Sequence, residues 1–252
     1  MKSIIALLVA LTAGGVGGWS LGNQTEPVPQ MNQKPSNGET APTAADFISL
    51  RPSLASLPSE SLSEVERAGL LYMREEEKLA RDVYSTLYDV WGLNIFANIA
   101  QSEQTHTEAV RDLLVKYEIK DPVTDDAVGI FTNQDLQTLY NDLVARGSVS
   151  LEEALTVGAL IEELDIRDLQ AEIDRSDNAD IDLVYENLLR GSRNHLRSFM
   201  SQLTTRDANY EPQYITATAF NQIVESEKET GGHTQATGRQ GTGSGRGWGR
   251  SN

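Results

Sequence analysis

Apolar residues recur at three- and four-residue spacing through the middle of the chain, with polar residues between them. That is the period of helices with one buried face. The first such segment starts near Ser63, where Glu66 three residues on suggests a capping box, and runs to about Val90 before Trp91-Gly92. Its stripe is Gly69, Met73, Glu76, Ala80, Val83 and Leu87. The second begins at the N-cap candidate Asn94 and runs to about Tyr117, with the stripe Ile95, Ile99, Glu103, His106, Val110, Leu113 and Tyr117. After a loop holding Asp121-Pro122 and Gly129-Ile130-Phe131, a shorter helix is predicted from Gln134 to Ala145, stopping at Gly147.

The third long segment starts at Ser150, with Glu153 completing a second capping box, and runs to about Asp174. Its stripe is Leu151, Leu155, Gly158, Glu162, Asp165, Leu169 and Ile173. The fourth runs from about Ile181 to Leu203, with the stripe Ile181, Val184, Leu188, Ser192, His195, Phe199 and Leu203. Strand signals are weak, and no repeat is evident. The pattern predicts an all-α chain: an up-and-down four-helix bundle with an extra short helix between its second and third long helices.

The ends differ in composition. Residues 1–22 read as a signal peptide or N-terminal anchor: Lys2 precedes an apolar run from Ile4 to Leu11. Ser20 and Gly22 suit cleavage, while the uncharged stretch from Ser3 to Leu21 suits an uncleaved anchor. Export is expected, to the periplasm or the outside of the cell, with a tether to the membrane left open. Residues 23–58 read as a flexible linker, 59–225 as the folded domain, and 226–252 as a disordered Gly/Arg-rich tail. The formal net charge of −16 argues against nucleic acid as a partner. With no cysteine, disulfides, thiolate zinc and iron–sulfur clusters are excluded.

The chemistry lies in polar residues inside the stripes. A buried carboxylate is costly unless it is paired or binds a metal. Glu103 and His106 stand three apart, nearly one turn, and so do Glu162 and Asp165; Glu76 and His195 complete the set. Four carboxylates and two imidazoles suit two cations such as Fe, Mn or Zn. The four negative charges would balance two divalent ions. Glu77 is an alternative to Glu76, one position round the helix. Each of these residues also has a plain reading as a hydrogen-bonded core group, and Asp165 could brace a histidine instead of binding a metal. Of the 3 histidines, only His233 lies off the stripes, in the tail. Glu75 is expected to point to solvent, and Arg74, Arg81 and Asp82 read as a solvated face, with ion pairs beside the site as the alternative. Tyr84 reads as amphipathic core, with a bond to a ligand carboxylate as the alternative, and Trp91 as packing the end of the first helix.

The run Met73-Arg74-Glu75-Glu76-Glu77-Lys78-Leu79-Ala80-Arg81-Asp82-Val83-Tyr84 is long and distinctive. With it go Ser102 to His106, Gly158 to Ile166, Ser192 to Leu196, and Tyr210 to Ile215. Together they resemble the DUF2202 family over roughly residues 60 to 225. The resemblance implies a ferritin-like fold but no established reaction. It differs from the wider ferritin-like pattern in one respect: a Glu-x-x-His pair is expected on the fourth helix, and Ser192 stands three before His195. Asp165 is the candidate replacement. By analogy, a di-iron oxidoreductase acting on Fe(II) with O2 or peroxide is expected, drawing on an external electron donor. The alternatives are a non-catalytic exported protein binding Zn or Mn, and a helical interaction module. A homodimer is left open.

Overall fold

A computed structural model describes residues 54–230, and these form helices with no strand among them. In chain order they are α1 (Glu64–Trp91), α2 (Asn94–Lys116), α3 (Gln134–Gly147), α4 (Leu151–Ile173), α5 (Ala179–Thr204) and α6 (Ala217–Glu225), preceded by a single turn at 54–56. The described residues are all-α, as the apolar spacing predicts. The expected signal or anchor segment, most of the linker and residues 231–252 of the tail lie outside the described residues. No described helix is long and apolar enough to cross a membrane.

The four long helices close on one core. α1 packs on α2 and α4 on α5, while α1 also meets α4 and α2 meets α5. Neighbours run antiparallel: Tyr84 reaches Gly158 and Glu162 across the α1–α4 seam, and Ser102 meets His195 across the α2–α5 seam. Tyr84, Phe96 and Phe199 pack together centrally with tilted rings, their centroids 5.3–6.4 Å apart. Gly158 makes this possible, since a Cβ there would lie 2.5 Å from Phe199 Cζ.

Capping sets the helix boundaries. Ser63 Oγ accepts from Glu66 N at 3.2 Å, and the Glu66 carboxylate accepts from Ser63 N at 2.9 Å, a closed capping box. Glu66 also accepts from Asn178 Nδ2 at 2.8 Å, tying the start of α1 to the α4–α5 turn. Gly92 ends α1 in the left-handed region (φ 63), where glycine is unstrained, and the Trp91 indole N–H docks on Gly147 O at 2.8 Å.

Several expectations change here. Leu93, not Asn94, holds the N-cap position of α2, because the chain has already turned at Gly92. Ser150 caps α4, but the Glu153 side chain turns to Arg146 at 2.7 Å instead of closing a box. α5 starts two residues before Ile181, at Ala179. α6, capped by Thr216, buries only Phe220 and is too short to carry a readable period.

The largest correction concerns the charged run on α1. Every residue from Met73 to Tyr84 is buried, because the α2–α3 connection wraps the face turned away from the core. Glu75 is not solvated: its carboxylate accepts from Thr132 N at 2.6 Å and Asn133 N at 3.1 Å. Arg74 donates to Asp121 at 3.2 Å. Arg81 pairs with Asp126 and Asp82 at 2.8 Å. Asp82 also accepts from Gly129 N at 2.9 Å and from Lys78, whose Nζ sits 4.5 Å above the Phe131 ring.

A second strap crosses α4. The Glu163 carboxylate accepts from three successive backbone amides, Gln213, Tyr214 and Ile215, at 2.7–3.2 Å, and from Tyr210 OH at 2.6 Å. Past the expected domain end at 225, Glu229 still holds to α5, paired with Arg197 at 2.9 Å and with Arg193.

Candidate metal centre

The inward-facing polar residues come from all four long helices. α1 supplies Glu77 and α4 supplies Glu162. α2 supplies Glu103 and His106, whose three-residue spacing points both side chains the same way. α5 supplies His195. All five are at most 1% exposed.

They form two groups sharing one carboxylate. Glu77, Glu103 and His106 make the first, and Glu103, Glu162 and His195 the second; within each, the donor atoms lie within 4.8 Å of one another. Glu103 is the hinge. Its Oε2 lies 2.7 Å from His106 Nδ1 and its Oε1 lies 2.7 Å from His195 Nδ1. Glu77 Oε2 approaches His106 Nδ1 at 3.2 Å, and Glu162 Oε2 approaches His195 Nδ1 at 3.4 Å. The imidazole rings stack 5.6 Å apart.

These separations match those of neighbouring ligands around one cation, about 3 Å when metal–donor bonds are near 2.1 Å. Both Glu103 contacts are short yet lack hydrogen-bond geometry, whereas Glu77 Oε2 to His106 Nδ1 is a hydrogen-bond contact. Glu77 Oε1, Glu162 Oε2 and both Asp165 oxygens are buried with no donor. Buried polar atoms rarely go unsatisfied, so the donor set fits cations.

Neighbouring groups orient these side chains. His195 Nε2 lies 3.1 Å from Ser102 Oγ, which leaves Nδ1 facing inward. Tyr84 is more than apolar packing: its hydroxyl donates to Glu162 Oε1 at 2.5 Å. Ser102 is a site residue that helix periodicity does not single out; its position directly before Glu103 is the only hint.

Protonation shows the strain of the metal-free cluster. Burial would raise Glu103, but the charges of His106 and His195 hold it well below the carboxylate range. Burial disfavours charged His106, yet Glu103 and then Glu77 carry its imidazole up to about 10. His195, opposed by the same burial and lifted by Glu103 and Glu162, rises to about 9. Burial outweighs His106 at Glu77 and pushes that carboxyl up to about 7. Asp165 is driven well upward, first by burial and then by the charges of Glu77, Glu76, Glu162 and Glu103. Without cations, the cluster has to retain protons.

Of the six residues singled out in sequence, Glu103, His106, Glu162 and His195 come together. Asp165 is buried beside them, outside both groups of three. Glu76 also stands outside, and Glu77 takes the α1 position in the first group. Glu76 instead accepts from Tyr72 OH at 3.4 Å, and burial with the charge of Asp168 raises it well above its ordinary value. Ser192, at the departure from the Glu-x-x-His pattern, bonds back to Leu188 O at 3.2 Å.

Over residues 66–227 the chain matches the family described as uncharacterized protein domain DUF2202, and it belongs to that family. Among its relatives is the uncharacterized protein MJ0754 of Methanocaldococcus jannaschii, 53% identical over 178 residues that span 71% of this chain and 96% of that protein. The crystal structure of hypothetical protein MJ0754 superposes with a TM-score of 0.68 at 54% identity, covering 69% of this chain and 99% of that one.

Proposed function

We propose that this protein is a ferritin-like four-helix bundle that holds two metal ions and works as a di-iron carboxylate oxidoreductase on Fe(II), with O2 or peroxide as oxidant. One observation carries the reading: the two oxygens of Glu103 each lie 2.7 Å from a different imidazole nitrogen, so a single carboxylate is shared by two ligand groups. Glu77 and His106 would hold one ion, Glu162 and His195 the other, and Glu103 would bridge them, with Asp165 as a further carboxylate at hand. Two irons held there would supply the electrons that reduce the oxidant.

The chain's own groups prepare the site. Ser102 orients the His195 ring, and Tyr84 orients Glu162. Apolar walls keep bulk water out, which favours small reactants. A surface cleft of about 550 Å³ between α4, α5 and α6 is lined by residues such as Arg167, Arg193 and Tyr214, and by none of the ligands. With no cysteine in the chain, repeated turnover needs electrons from an outside donor.

The same seclusion supports a second reading, in which Zn or Mn is held permanently and the protein is not a catalyst. Aerobic addition of Fe(II) separates the two. The oxidoreductase reading expects O2 uptake with growing Fe(III) absorbance. Tight metal binding without O2 uptake supports the second reading and overturns the first.

A further inference from the structure

Four carboxylates follow one another along the face of α4 turned toward α1: Glu162, Asp165, Asp168 and Glu172. Their spacings of three, three and four residues make a ladder about 15 Å long. α1 runs antiparallel beside it and contributes Glu76 at the level of Asp168. At the outer end Gly69 leaves room for a rung, because the Glu172 carboxylate fills the space that a Cβ at Gly69 would take.

The inner part of the ladder is short of donors, with Tyr72 OH reaching one Glu76 oxygen. Asp165 is 1% exposed and neither oxygen meets a donor; Glu76 is 3% exposed and its Oε2 meets none. Asp168 lies near Glu76, with Arg167 beside both. A passing cation would meet the two Asp165 oxygens and the Glu76 Oε2 that no donor reaches. The outer part is different. Asp168 and Glu172 have side chains 20% and 14% exposed, and each is clasped by an arginine, Arg167 at 2.6 Å and Arg175 at 2.6 Å, whose own side chains are 30% and 48% exposed. Such exposed partners yield readily to a competing cation. The C-terminal end of α4 adds negative potential at this end.

We propose that the α1–α4 seam is the route by which divalent cations reach the buried site, with Glu172 and Asp168 receiving the ion and Glu76 and Asp165 passing it inward. This rests on the two-cation reading above. Buried carboxylates that served only to stabilise the seam would be matched with donors, as Glu75 and Glu163 are.

Rapid mixing of the metal-free full chain with Co(II), followed by cobalt absorbance, measures the loading rate, and equilibrium titration measures the amount bound. The combined variant Asp168→Asn, Glu172→Gln is expected to load at least about tenfold more slowly at low salt while still binding two Co(II) per chain. Glu152→Gln, which neutralises an exposed carboxylate at the other end of α4, is expected to load at the wild-type rate. Three results overturn the route: wild-type loading in the double variant, equal slowing in the Glu152 variant, or fewer than two ions at equilibrium in the double variant. Absence of Co(II) binding by the wild type overturns the two-cation reading itself, and the route with it.

Discussion

Glu103→Gln perturbs the site at its shared point. Glutamine keeps the shape of the side chain but removes the charge that faces both His106 Nδ1 and His195 Nδ1 at 2.7 Å. Loss of groups that merely orient a ligand lowers metal affinity about 10–100-fold, so loss of a bridging ligand should lower it at least about 100-fold at each ion. With free metal at 100 times the wild-type Kd, binding stabilises the native state by about 2.7 kcal/mol per site, or about 5 kcal/mol for two. For a domain of this size that is a rise in melting temperature of about 10–20 °C. In the variant at the same metal concentration, free metal would only equal Kd, leaving about 0.4 kcal/mol per site and a rise of about 2–3 °C. Calorimetry with and without Zn(II) measures both rises. A variant that gains as much as the wild type would refute the bridging role of Glu103.

Other outcomes follow from the same geometry. Metal-free protein should lose stability as pH rises from about 5 to 10. The raised carboxyl of Glu77, pushed up to about 7, and the raised imidazoles of His195 and His106, at about 9 and about 10, make the native state hold more protons than the unfolded chain over that range. Glu103, held low, opposes this only at acid pH. Melting temperatures in chelator across that range check the sign, and a rise with pH would contradict it. Glu163→Gln should destabilise the protein by about 2–3 kcal/mol and speed amide exchange at Gln213, Tyr214 and Ile215, because it weakens three charge-assisted backbone bonds at once. Gly158→Ala should cost about 1–3 kcal/mol in urea unfolding by driving a methyl into Phe199, and a neutral result would mean that the aromatic cluster is looser than the structure shows.

Helix existence was legible because one-sided burial imprints a three-to-four period, and the Ser63–Glu66 box marks a start without tertiary context. The approach of Glu103, His106, Glu162 and His195 follows from their stripes, since a residue that repeats with the apolar face is carried inward. The α1 contribution was not decidable that way. Glu75, Glu76 and Glu77 all become buried, because one side of α1 meets the core and the other is covered by the 121–133 connection. A loop that folds back on a helix leaves no periodic trace, so Arg74, Arg81 and Asp82 read as a solvated face while in fact holding that loop. Glu163 was hidden for the same reason, since its partners are backbone amides some fifty residues away.

These buried acids and imidazoles are proposed to hold two cations. Elemental analysis of natively purified protein, followed by anaerobic titration with Fe(II), tests it beside a His106→Ala variant. Saturation at two ions per chain in the wild type and a clear loss of bound metal in the variant are expected. Equal metal in both proteins, or none in the wild type even at excess Fe(II), would contradict it.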